Sequence, residues 1–196
     1  MTNLKYQNQK FKHKGIPIPK FDMKFGRLIR LCVPNFDSKG NSLVHSFRYG
    51  LLSHFEEVIP GAKWSKRYKE SLFRRYIKPL TVENYISKKL SMDSTNSKII
   101  WEYLELDPKE KLNNLTTGKS KALAIKCDFK KYDTLIFDYY GVSANEIDFL
   151  DRVVDEEIQK EKCGIAIDRL EFNQNNEVNK NVEQIKVTVG NNIYVP

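Results

Sequence analysis

Apolar residues recur along the chain with two periods. Over residues 46–59, Phe47, Leu51, Leu52, Phe55, Val58 and Ile59 return at helical spacing, and Pro60-Gly61 closes the run. Residues 63–78 repeat the pattern with Trp64, Tyr68, Leu72, Tyr76 and Ile77, until Pro79 stops it. A third helix is predicted over 81–90 with Thr81 as its cap, and a short one over 98–106 after the polar loop 91–97. Two more are expected at 131–140 and behind the capping box Ser143-Ala-Asn-Glu146, where Ile147, Leu150, Val154 and Ile158 share a face. Strands are expected at 27–33, 122–127, 164–172 and 182–189, with a last short one near Asn191-Asn192. Residues 36–41 read as a turn, and residues 115–120 as a loop. Gly15-Ile16-Pro17-Ile18-Pro19 cannot be helical, so residues 1–25 read as a basic extended arm ahead of one globular domain at 26–196. The sum is an α+β or mixed α/β fold, with a helical centre packed on a small sheet.

Composition supports a real core: 196 residues, 40% of them hydrophobic and 12% aromatic. Cys32, Cys127 and Cys163 are isolated, a pattern that predicts reduced thiols and a cytoplasmic location. No apolar run approaches the ~20 residues of a membrane span, and the first fourteen residues lack the apolar centre of a secretory signal. No membrane association is expected.

The net charge of +8 is unevenly spread. Residues 1–90 hold 19 Lys and Arg against 6 Asp and Glu, and residues 91–196 hold 14 against 19. The first half therefore predicts an anionic partner. The expected helix over 63–78 is basic on one side. Lys66, Arg67, Lys69, Arg74, Arg75 and Lys78 are candidate phosphate contacts, joined by Lys12, Lys14 and Lys20 of the arm.

Residues 135–151, LIFDYYGVSANEIDFLD, carry a specific order of residues: Leu135, Ile136, Phe137, Tyr140, Gly141, Val142, Ser143, Glu146, Ile147 and Leu150. The segment resembles one near the C-terminal end of type IIG restriction–modification enzymes and related adenine-N6 DNA methyltransferases. That resemblance implies a packing element beside a target-recognition region, and no catalytic residue. The chain contains no Asn-Pro-Pro-aromatic motif and no Gly-x-Gly turn, so a complete methyltransferase is not expected.

Other chemistry is sparse. Asp107, Asp128 and Lys130 could form a magnesium-dependent nuclease site, with the acids holding the cation and the lysine orienting water. Gly118-Lys119-Ser120 is a fragment of a phosphate-binding loop without the preceding glycine near position 113, which argues against an NTPase. His13, His45 and His54 lack a cysteine pair for zinc, so no metal site is assigned. The sequence thus leads to a non-catalytic nucleic-acid-binding accessory subunit of a bacterial or phage restriction or defence system, with no cofactor and a protein partner subunit. A nuclease, or an assembly protein whose basic arm grips a protein, are the alternatives.

Overall fold

The computed structural model describes residues 4–170 and 180–189. The short strand expected near Asn191-Asn192 and the end of the one expected at 164–172 lie outside the described residues. The chain divides into two compact units: Met1–Trp64 with Asp133–Tyr140 and Ile158–Pro196, and Ser65–Tyr132 with Gly141–Glu157.

The first unit is built on a parallel sheet. It contains β1 (Leu4–Asn8), β2 (Phe11–His13), β3 (Ile16–Ile18), β4 (Phe21–Lys24), β5 (Leu28–Val33), α1 (Ser46–Val58), β6 (Ala62–Trp64), β7 (Thr134–Asp138), β8 (Cys163–Arg169) and β9 (Val182–Lys186). Strands β6-β7-β8-β5-β9, in that order, make a five-stranded sheet, and every pair in it is parallel. All six residues of β5 are buried, as are the first six of β8. Burial on both faces is what a parallel sheet demands of its central strands. Residues 4–24 pair as β1 with β4 and β2 with β3, both antiparallel. Ile16, Ile18, Phe21 and Met23 join the core that Phe47, Leu51, Leu52 and Phe55 of α1 complete.

This architecture corrects the expected helical centre on a small sheet. Two segments exchange roles. Residues 122–127, expected as a strand, lie within α5 (Thr117–Phe129), and residues 131–140, expected as a helix, contain β7. Residues 122–129 are all buried, and so are residues 134–137. A run buried at every position shows no period, so apolar pattern alone cannot choose between helix and strand.

The second unit is helical. It holds α2 (Leu72–Ile77), α3 (Val82–Leu90), α4 (Ser94–Tyr103), a single 3₁₀ turn at Leu112–Asn114, α5, and most of α6 (Ala144–Gln159). Thr81, Asp93 and Thr116 each cap a helix by accepting a backbone amide, from Asn84, Asn96 and Lys119 respectively. The basic helix expected over 63–78 does not form. Its start is drawn into the ladder β6–β7, and α2 is only six residues long.

The capping box gives a contact that its sequence does not announce. Glu146 accepts from the Ser143 hydroxyl at 2.8 Å and from the Thr116 hydroxyl, at the start of α5. Although burial alone would raise its pKa, these bonds and the Gly118 and Lys119 amides hold the Glu146 carboxyl below its ordinary value. A Cβ on Gly118 would stand 2.6 Å from Glu146 Cβ, so the close approach needs glycine here. Gly118→Ala is expected to destabilise the chain by about 1–3 kcal/mol in urea unfolding. The Glu146 contribution is present above the ordinary Glu value and is lost as pH falls through the lowered folded value. Glu146→Gln should therefore flatten the acid limb of stability against pH.

Candidate functional site

From β5 the chain runs out to the sheet edge at β6, returns through β7 and β8, and crosses to β9 on the far side of β5. Sheets of this kind bind ligands in the crevice outside the carboxyl ends of their strands, where the order reverses. Here that crevice is bordered by the segment 34–45 after β5, the start of α1, and the ends of β7 and β8.

Charged side chains of this crevice meet one another. Asp138, the last residue of β7, faces Arg48 of α1, with Arg48 Nη1 at 3.9 Å from Asp138 Oδ1. The same oxygen accepts the Tyr140 amide at 3.0 Å. The Arg48 guanidinium lies over the rings of Tyr49 and Tyr140, at 4.6 and 4.5 Å. Deeper in the sheet, Arg30 of β5 sits 3.9 Å from Asp168 of β8, donates to the Tyr139 hydroxyl at 3.2 Å, and covers the Tyr139 ring at 4.7 Å. Arg30 and Arg48 thus each face an aspartate of a neighbouring strand end.

The segment after β5 is closed on itself in the same way. Asp37 Oδ1 accepts the amides of Lys39 and Asn41, both at 2.8 Å, and its other oxygen accepts Asn41 Nδ2 at 2.8 Å. The Asn41 side-chain bond, with the two amides behind it, holds the Asp37 carboxyl below its ordinary value. Gly40 turns at φ +80° and donates its amide to the Asp37 carbonyl at 3.0 Å. The Leu43 amide goes to the Asn35 carbonyl at 2.8 Å, and the Val44 amide to the Ser42 hydroxyl at 3.3 Å.

No protein-family model and no curated protein matches the chain. Solved structures do. An ABC transporter ATP-binding protein from Pyrococcus furiosus is similar over 93% of this chain and 94% of its own, at 12% identity and a TM-score of 0.60. A nucleotide-free ATP-binding cassette of an ABC transporter is similar over 96% and 87%, at 15% identity and 0.53. The ADP conformation of another such cassette is similar over 96% and 90%, at 13% identity and 0.54. The chain has the fold of the ATP-binding cassettes.

That finding corrects three expectations. The neighbours are not methyltransferases, so the resemblance of residues 135–151 to restriction–modification enzymes does not stand; those residues are the end of β7, a turn and the start of α6. The accessory subunit of a restriction or defence system, with its nuclease and assembly-protein alternatives, gives way to a cassette fold. DNA binding loses its footing too: the neighbours are ATP-binding cassettes, and the basic helix that joined the arm in that expectation does not form.

The fold implies ATP, and the residues present do not fit it. A phosphate loop joins a strand to a helix with the pattern Gly-x-x-x-x-Gly-Lys-Ser/Thr, its amides cradling the phosphates. By strand order, the strand and helix in that place are β5 and α1, and α1 is entered through Leu43-Val44-His45-Ser46 instead. Lys39 precedes the segment's single glycine rather than following it. The amides of residues 39–41 already have acceptors, two of them the Asp37 carboxylate. Asp138 stands where a strand-end aspartate holds magnesium in P-loop proteins, but it faces Arg48. The next residue, Tyr139, is buried beneath Arg30.

The residues singled out from sequence fall elsewhere. Asp107 is exposed and caps its own turn through the Lys109 amide. Asp128 is buried between Ser65 at 2.7 Å and Lys89 at 2.8 Å, and Lys130 is exposed at the end of α5. Among the described residues, no group of three or more His, Cys, Asp or Glu could hold a metal. Lys66, Arg67 and Lys69 border one cavity of the second unit. Lys78 is exposed, and the side chains of Arg74 and Arg75 lie outside the described residues. In the first unit, Lys12 is exposed on β2, Lys14 donates to the Ser46 carbonyl at 2.9 Å, and Lys20 follows β3. Asp138, Arg48 and Asp37 were not legible as a site, because the sequence shows no consensus loop to mark it.

Truncating Arg48 to alanine removes the guanidinium that faces Asp138 and lies over Tyr49 and Tyr140. Urea unfolding should show a loss of about 3 kcal/mol. Arg48→Ala combined with Asp138→Asn should lose less than Arg48→Ala alone.

Proposed function

We propose that this chain is a cassette-fold subunit that works through association with protein partners and does not turn over ATP at its own crevice. The observation that carries the reading is the closure of the crevice on the chain's own side chains. Asp37 occupies the amides of its loop, and Arg48 occupies the strand-end aspartate.

The partner follows from the likeness. Several neighbours are cassettes of ABC transporters, one of them part of a transporter complex from Clostridium perfringens, while others are an RNase-L inhibitor and an archaeal ribosome recycling factor. By that likeness, the partner of this chain is a subunit of a transporter-type assembly, met at the cytoplasmic face. Among the described residues no helix is long and apolar enough to cross a membrane. Phe73, Tyr76 and Ile77 of α2 are 75%, 82% and 65% exposed, an apolar surface of the kind that protein contacts cover.

A second reading, nucleotide held without hydrolysis, is favoured by the position of Asp138 at the end of β7. The first experiment is steady-state phosphate release from ATP with magnesium. The expected rate equals that of buffer, and Asp138→Asn leaves it unchanged. Release above buffer that Asp138→Asn abolishes would overturn both readings.

A further inference from the structure

The second unit carries a cavity that the crevice chemistry does not use. Its volume is about 460 Å³, within the range of small-molecule sites. Leu80, Tyr68 and Tyr85 form its apolar wall, with the two tyrosine rings 5.7 Å apart and tilted by 56°. Lys66, Arg67, Lys69, Lys88 and Lys89 complete the lining, which among the described residues contains no acid.

Two of the lining cations are already held in place. Lys89 donates to Asp128 Oδ1 at 2.8 Å and to the Tyr85 hydroxyl at 3.0 Å. Ser65 holds the other Asp128 oxygen at 2.7 Å, and Arg67 donates to the Thr117 hydroxyl at 3.3 Å. Burial pushes the Tyr85 hydroxyl up to about 12, so it keeps its proton at neutral pH. Its oxygen accepts from Lys89, which leaves that proton to be donated. Lys69 and Lys88 are exposed at the rim.

We propose that this cavity binds a small molecule that joins a phosphate monoester to a flat aromatic group. The rim lysines and the Arg67 fork suit the phosphate oxygens, which charge-assisted donors bind best. The ring of such a ligand would lie against Tyr68 and Leu80, where aromatic area is buried at little entropic cost. An open recess that sets two tyrosines and a leucine beside five cations suits a small ligand with one flat apolar end and one anionic end. The inference is independent of what the crevice does.

Calorimetric titration of the full chain tests it, with phenyl phosphate, inorganic phosphate and an oligoglutamate peptide as probes at low salt. Phenyl phosphate is expected to saturate with a Kd below about 1 mM, and inorganic phosphate to bind at least about tenfold more weakly. Lys69→Gln with Lys88→Gln should weaken phenyl phosphate by about tenfold or more. The thermal midpoint should stay unchanged, because both side chains are exposed. Tyr68→Leu should weaken phenyl phosphate and leave inorganic phosphate as it was. No saturation by phenyl phosphate up to about 10 mM, or equal binding by the double-lysine variant, overturns the proposal. So does equal affinity for inorganic phosphate, or saturation by oligoglutamate alone, which would assign the cavity to an acidic protein segment.

Discussion

The first unit depends on one constraint: β5 is buried along its whole length, between β8 and β9, and it carries an arginine. A buried cation is costly unless it is paired and hydrogen-bonded. Arg30 meets that demand through Asp168 on β8 and through the hydroxyl and ring of Tyr139 just past β7. The pairing register places Cys32 opposite Asp168 and Leu31 opposite Ile167. The Tyr139 amide donates to the Ile167 carbonyl at 3.0 Å, which continues the chain after β7 along β8. Neutralising one arginine thereby ties β5, β7 and β8 together.

The crevice those ends define is held by the same kind of bond. A nucleotide-binding loop works by leaving amides and cations unsatisfied until phosphate arrives. Here the demand is met within the chain. The Asp37 carboxylate stands in for an anion among the loop amides, and the Arg48 guanidinium stands in for a cation beside Asp138. The sheet does not suffer, since its stability comes from burial of β5, β7 and β8 and not from the loop. A fold can be kept while its site is rebuilt, which is why the cassette likeness fixes architecture and leaves chemistry to the residues.

Part of this was legible in the sequence. The turn at 36–41, the helix starting at Ser46, the Thr81 cap and the strand expected over 27–33, found as Leu28–Val33, all declared themselves through local chemistry. The parallel sheet did not, because parallel pairing joins strands distant in sequence and their apolar runs carry no alternation. Residues 122–127 and 131–140 were therefore read with their roles exchanged. Gly118-Lys119-Ser120 drew attention as a broken phosphate loop, yet Gly118 is needed for the approach of Glu146 to the start of α5. The segment that fills the phosphate-loop place, 34–45, keeps no recognisable pattern. Asp138 sat inside the stretch whose order looked most familiar, and its position at a strand end could be seen only once β7 had been placed in the sheet.

Binding, measured apart from turnover, tests the closed crevice most directly. Calorimetric titration of magnesium and ATP into the unaltered chain, followed by titration with Asp138→Asn, separates the crevice from the basic cavity of the second unit. The account predicts that any ATP heat is the same in both proteins. ATP binding that saturates in the unaltered chain and weakens by about tenfold or more in Asp138→Asn would contradict it.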